Sequence, residues 1–177
     1  ARTRRLAHAL TKAGIGRGDT VAILAPNTPA MLEAHYSVLM IGAVLNPINI
    51  RLDAAAIAFC LDHGGAKLFL ADREFHGTIA PALELLGTKC PIVIDIADTE
   101  TADAPSFGGI EYESFIAAGS GGFVYAGPQD EWDACCLLYT SGTTGNPKGV
   151  VFSHRGAYRG ALANALTFKL DHDSRYL

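Results

Sequence analysis

The amino-acid sequence predicts a doubly wound α/β fold: a mostly parallel sheet with helices on both faces. Three observations predict it. Short, continuously apolar runs alternate with stretches of helical periodicity from Leu6 to Ile96. Those runs favour β-branched residues and lack the apolar/polar alternation of a half-solvated sheet, so both of their faces should be covered. Hydrophobic residues make up 49% of the chain and charged residues 18%, which suits a core on each side of a sheet.

Taken in order, Leu6, Ala9, Leu10 and Ala13 recur at helical spacing among charged residues, and Gly14 ends the run. Thr20-Val21-Ala22-Ile23-Leu24 is a buried strand. Asn27-Thr28-Pro29 then opens a helix, a capping side chain followed by proline at the first turn. Met31, Leu32, Ala34, Tyr36, Val38, Leu39 and Ile41 cover most of its circumference, so this helix is expected to be largely enclosed. Val44-Leu45 is a short strand, and Asp53 caps a helix whose stripe is Ala54, Ile57, Ala58 and Leu61. Lys67 to Leu70 is the next strand, 78–86 the next helix, and Ile92 to Ile96 a further strand. Residues 98–109 read as a loop, a short helical piece surrounds Phe115, and 119–122 is a second Gly/Ser stretch. An apolar strand then leads to Tyr139, another follows at Val150-Val151-Phe152, and Tyr158, Ala161, Leu162, Ala165 and Leu166 mark a last helix.

The chain has 177 residues, one domain or one lobe of a larger one. Its thin charge has two readings, apolar surface meant to meet more protein or a tightly packed core. Net charge is −4, with no basic stretch beyond Arg2, Arg4 and Arg5, so nucleic acid has little support as a partner. No apolar run approaches the ~20 residues of a membrane span. The four cysteines, Cys60, Cys90, Cys135 and Cys136, form no CxxC pair and sit at no metal-ligand spacing. They read as buried free thiols, and a cytoplasmic location is the expectation.

The chemistry is concentrated in one segment. Between two apolar strands lie nine residues, Ser141 to Gly149, with four hydroxyl or lysine side chains and three glycines. Glycines let backbone N–H groups close on a ligand, hydroxyls donate to phosphate oxygens, and Lys148 adds a point charge. That composition suits a polyphosphate. It is not a Walker A loop, because Lys148 follows Pro147 and precedes Gly149, and a strand rather than a helix follows.

The eleven residues from Tyr139 to Gly149 (YTSGTTGNPKG) resemble the phosphate-binding signature of the adenylate-forming superfamily, which holds acyl-CoA synthetases, peptide-synthetase adenylation domains and firefly luciferase. Gly18 to Ala22 (GDTVA), Leu39 to Pro47 (LMIGAVLNP) and Ser153-His154-Arg155-Gly156 resemble further motifs of the family, so the likeness spans nearly the whole chain. Asn46 to Asp53 and Asp130 to Asp133 look like the short- and medium-chain acyl-CoA ligases, including the methylmercaptopropionate and plant acyl-activating types.

The resemblance implies an AMP-forming acid–thiol ligase of fatty acid metabolism. ATP, Mg²⁺ and coenzyme A are its implied cofactors and co-substrates, and a small carboxylic or fatty acid is its substrate. Carried over residue by residue, Thr140, Ser141, Gly142, Thr143, Thr144 and Gly145 would bind the ATP phosphates. Lys148 would neutralise the departing pyrophosphate as the catalytic residue, and Thr140 would help hold Mg²⁺. His154 and Arg155 are expected to cap the following helix, and Asp19, Asp53 and Asp95 to serve as turn, cap and strand-end residues. Residues 1–177 are expected to be a partial N-terminal AMP-binding domain, cut at both ends, lacking the C-terminal domain and inactive alone. Homo-oligomerisation is open. So are two rivals, an adenylation domain that loads a carrier protein and a non-catalytic nucleotide-binding remnant.

Overall fold

A computed structural model describes residues 1–97, 103–140 and 147–175 of the chain. In order these form α1 (Arg2–Lys12), β1 (Thr20–Leu24), α2 (Pro29–Met40), β2 (Val44–Pro47), α3 (Ala54–His63) and β3 (Ala66–Asp72). There follow α4 (His76–Leu86), β4 (Ile92–Ile96), β5 (Ile110–Glu111), α5 (Tyr112–Ala117), β6 (Ala134–Thr140), β7 (Lys148–Ser153) and α6 (His154–Thr167). A single 3₁₀ turn precedes α4 and another follows it.

The strands join one seven-stranded sheet in the order β5-β4-β3-β1-β2-β6-β7. Neighbours run parallel except β6 and β7, which pair antiparallel. The expected doubly wound, mostly parallel α/β fold is therefore present. Its two cores follow from the period-2 alternation of side chains along a strand. Val21, Ile23, Leu68 and Leu70 point to the side covered by α1, α2 and α5. Ala22, Leu24, Phe69 and Ala71 point to the side covered by α3 and α4.

Local chemistry sets the element ends. Asp53 accepts a hydrogen bond from the Ala56 N–H at 2.8 Å and caps α3 as expected. Pro29 stands in the first turn of α2, where its missing N–H has no intrahelical partner to lose. Gly42, at φ +71°, turns the chain out of α2, and its carbonyl accepts from the Gly18 N–H at 2.9 Å.

Several expectations are corrected. The α2 helix is not enclosed: Leu32 and Tyr36 are 62% and 58% exposed, while Glu33 and Ser37 are buried with Ala30, Ala34 and Val38. The reason lies in a polar knot. Glu33 pairs with Arg2 at 2.5 Å and accepts from the Tyr112 hydroxyl at 2.6 Å, which turns that face of α2 toward α1 and α5. Cys60 and Cys135 are buried, but Cys90 is exposed, just beyond the 3₁₀ turn that follows α4. The two-residue β5 gave no strand signal, because its pairing with Ile94 and Asp95 is made by tertiary contact rather than propensity. Asp95 is more than a strand end. Fully buried, it takes an ion pair from Arg73 at 3.0 Å and accepts from the Ser106 hydroxyl and the Phe107 N–H.

Candidate functional site

The sequence-predicted site lies on the β6–β7 hairpin. Tyr139 pairs with Gly149 and Thr140 with Lys148 across it, so the signature's first and last residues face each other where the ladder meets its connecting residues. Thr140 and Lys148 are exposed, and among the described residues Lys148 has no carboxylate partner. Of the other candidate residues, Ser141, Gly142, Thr143, Thr144 and Gly145 lie outside the described residues. The structure thus brings Thr140 and Lys148 together.

The hairpin stands at the carboxyl ends of the parallel strands. The connection after β1 leads to α2 on one face, and the connection after β2 leads to α3 on the other. Diverging connections of neighbouring strands open a crevice there, the common ligand position of open α/β sheets. The crevice holds about 620 Å³ and is lined by Ala25, Asn27, Ile48, Asn49, Tyr139 and Thr140 among others. It is mostly apolar with a few amides and hydroxyls, and Thr140 puts the start of the signature on its wall.

Tyr139 ties the hairpin to α3. Its hydroxyl and His63 Nδ1 share a hydrogen bond of 2.8 Å, and its ring meets those of Phe59 and His63 edge-on. Burial pushes the Tyr139 phenol upward from its ordinary value, so it stays neutral. Gly149 answers it from the opposite strand. A Cβ there would lie 3.0 Å from Leu137 Cδ1 and 3.6 Å from Tyr139 Cε1, so a bare residue lets these side chains close over it. Sequence reasoning singled out Tyr139 only as part of the signature and missed His63. A lone histidine at the end of a helix carries no signal of a partner 76 positions away.

The exit from the hairpin corrects a further expectation. Ser153, not His154 or Arg155, caps α6, accepting from the Gly156 N–H at 3.1 Å. His154 and Arg155 occupy the first helical turn and donate their backbone N–H groups to Asp133 and Glu131 carbonyls. The Arg155 guanidinium also pairs with Glu131 and lies 5.1 Å over the Trp132 ring. Arg17 donates twice to Asp133, at 2.8 Å each, and holds the same segment to the β1 side. No group of three or more His, Cys, Asp or Glu side chains among the described residues is placed to hold a metal ion.

Comparison with known proteins decides the family. The AMP-binding enzyme family model matches residues 1–177. The chain belongs to the AMP-binding enzyme family. It is 46% identical over 187 residues to a peroxisomal acetate/butyrate–CoA ligase of Arabidopsis thaliana, covering 99% of this chain and 33% of that one. It is 43% identical over 188 residues to an acetate–CoA ligase of Humulus lupulus, with the same coverage of each. A crystal structure of an acyl-CoA synthetase from Brucella canis superposes with a TM-score of 0.78 at 26% identity, over 98% of this chain and 30% of that one. The chain thus spans about a third of the length of the curated relatives it matches.

The relatives overturn the cytoplasmic expectation. The Arabidopsis acetate/butyrate–CoA ligase is named as peroxisomal, and so is a benzoate–CoA ligase of the same plant, 40% identical over 182 residues. Free thiols do not distinguish cytosol from peroxisome. No helix among the described residues is long and apolar enough to cross a membrane.

Proposed function

We propose that this chain is the front portion of an AMP-forming acid–thiol ligase and supplies its ATP phosphate-binding hairpin. One observation carries the reading: Thr140 and Lys148, which has no carboxylate partner among the described residues, face each other at the connected end of a hairpin that walls a crevice at the carboxyl edge of the sheet. In the reaction, a carboxylate oxygen attacks the α-phosphorus of ATP, and the bond to the bridging oxygen of pyrophosphate breaks. The thiol of coenzyme A then attacks the acyl carbon of the adenylate, and AMP leaves with the electron pair.

Lys148 is the charge that receives the departing pyrophosphate. In-line displacement at phosphorus calls for stabilisation of the leaving group more than for covalent chemistry by the protein. Ser141, Gly142, Thr143, Thr144 and Gly145 complete the phosphate cradle in this reading, as backbone and hydroxyl donors. For Mg²⁺, the described residues offer one hydroxyl, Thr140, and no carboxylate cluster. That set fits an ion that arrives on the nucleotide and keeps most of its waters. When bound, Mg²⁺ supplies neutralisation of phosphate charge, and Thr140 would be its protein oxygen.

The acid is a short carboxylic acid, in keeping with the acetate and butyrate in the relatives' names. The test is ATP–pyrophosphate exchange by the full-length protein across acetate, butyrate and longer acids, followed by thioester formation with coenzyme A. Exchange with a short acid is expected, and none with any carboxylic acid would refute the reading. The 177-residue chain alone is expected to show none, because a cradle by itself cannot align the attacking carboxylate.

A further inference from the structure

We infer that His63 is a positioning residue for the phosphate-binding hairpin, acting through the Tyr139 hydroxyl to fix the strand end from which Thr140 is presented. Its catalytic consequence rests on the nucleotide reading above, and its geometry does not. The need for such a clamp lies in the seam between β2 and β6. Those strands share one register pair, Leu45 with Cys136. Beyond Cys136, β6 continues to Thr140 in a ladder with β7 alone. A strand with one bridge to its sheet neighbour depends more on side-chain contacts to fix its far end.

The carboxyl end of α3 supplies that hold. Gly64, directly after His63, lets the chain press onto the seam. A Cβ there would lie 3.1 Å from Asn46 Nδ2 on β2 and 3.2 Å from Leu137 Cδ2 on β6. His63 then stacks on Phe59, ring centroids 5.0 Å apart and 18° from parallel, which fixes the imidazole plane. Its Nδ1 and the Tyr139 hydroxyl share the 2.8 Å hydrogen bond. Because side chains alternate along a strand, Tyr139 facing α3 sends Thr140 to the opposite side. A tilt of Tyr139 reaches Thr140 through one peptide unit and Lys148 through the Thr140–Lys148 pair. Misplacement of such groups by about 1 Å can cost 10²-fold in rate.

Two measurements test this, the first independent of function. In the full-length protein, amide exchange at Leu138, Tyr139, Gly149 and Val150 should quicken about 5-fold in Tyr139→Phe and in His63→Ala, the share of one hydrogen bond. The double variant should add nothing, Ile23 and Leu70 should not change, and His63→Asn, which keeps an acceptor near the Nδ1 position, should restore the slow rates. Unchanged exchange in Tyr139→Phe, or additive effects, would overturn the clamp. In the full-length protein, either single variant should lower the kcat of adenylation about 5-fold, with the KM for the acid unchanged. Thioester formation from preformed acyl-adenylate should stay as it is, and equal losses in both half-reactions would reduce His63 to a fold-holding role. If exchange responds as expected but the wild-type protein makes no adenylate, the clamp stands and the nucleotide reading falls.

Discussion

Lys148 stands at the connected end of the β6–β7 hairpin, exposed, opposite Thr140 and without a carboxylate among the described residues. A lysine in that position has no structural bond to lose, so its removal reports on what it does for a ligand. In the full-length protein, Lys148→Ala should lower adenylation by ~10²–10³, because charge accumulates on pyrophosphate as the transition state is reached. The KM for the carboxylic acid should change little. Thr144→Ala removes a neutral hydroxyl and should cost on the order of 1 kcal/mol. Thioester formation from preformed adenylate should be insensitive to both, since pyrophosphate has already gone. Equal losses in the two half-reactions would assign Lys148 to the fold instead. The candidate residues stood out at this scale because their order resembles a family signature and their glycines, hydroxyls and lysine suit a polyphosphate. His63 was not, because a helix-end histidine looks the same in sequence whether or not a tyrosine hydroxyl awaits it.

Elements are joined by a few buried polar groups that local sequence does not announce. Asp95 in β4 is the clearest: fully buried, it holds Arg73 after β3 and Ser106 and Phe107 before β5. Arg73→Ala would leave that carboxylate without its counter-charge and should destabilise the chain by about 3–5 kcal/mol in urea melts. Arg73→Lys keeps the charge but loses the second nitrogen on the carboxylate, and should cost about 1 kcal/mol. A loss under 1 kcal/mol for the alanine variant would show that water reaches Asp95. Asp19 tests the acid side. Lys67, at 2.6 Å, and then the Gly16 N–H hold its carboxyl below the ordinary carboxylate range. Its folded form therefore releases its proton at lower pH than the unfolded chain, so the stability it adds is present at neutral pH and lost as pH falls below about 4. Asp19→Asn should flatten the fall of the urea midpoint between pH 5 and about 3, and an unchanged slope would refute the pairing. The strands and most helices were readable from apolar periodicity, since burial on both faces forces it. The exceptions, β5 and the outward turn of α2, depend on Asp95 and Glu33, whose partners lie far off in sequence.

For the molecule as a whole, apolar surface is distributed unevenly. Helices α1 to α5 each bury a face, but α6 buries no residue at all. Tyr158, Leu162, Leu166 and Phe168 on or beside it are 71%, 49%, 73% and 57% exposed. Next to it, the strand β7 exposes Val150, Val151 and Phe152 and, among the described residues, pairs on one side alone. Of the two readings of the chain's thin charge, this favours apolar surface that meets other protein over a core that uses everything. Contiguous apolar area beside an open strand edge promotes self-association. This chain should therefore associate with rising concentration, seen in light scattering or sedimentation velocity at neutral pH. Replacing Leu162 and Leu166 together by Asp should shift it toward monomer and leave the urea midpoint within about 0.5 kcal/mol of the parent, as surface changes do. That combination is informative, because neither side chain belongs to a buried core. If the chain is the front portion of a longer ligase, as proposed, the same surface should be covered there, and the double substitution should then destabilise. A monodisperse monomer of this chain at millimolar concentration would contradict the expectation and make the exposed face of α6 an ordinary solvated surface.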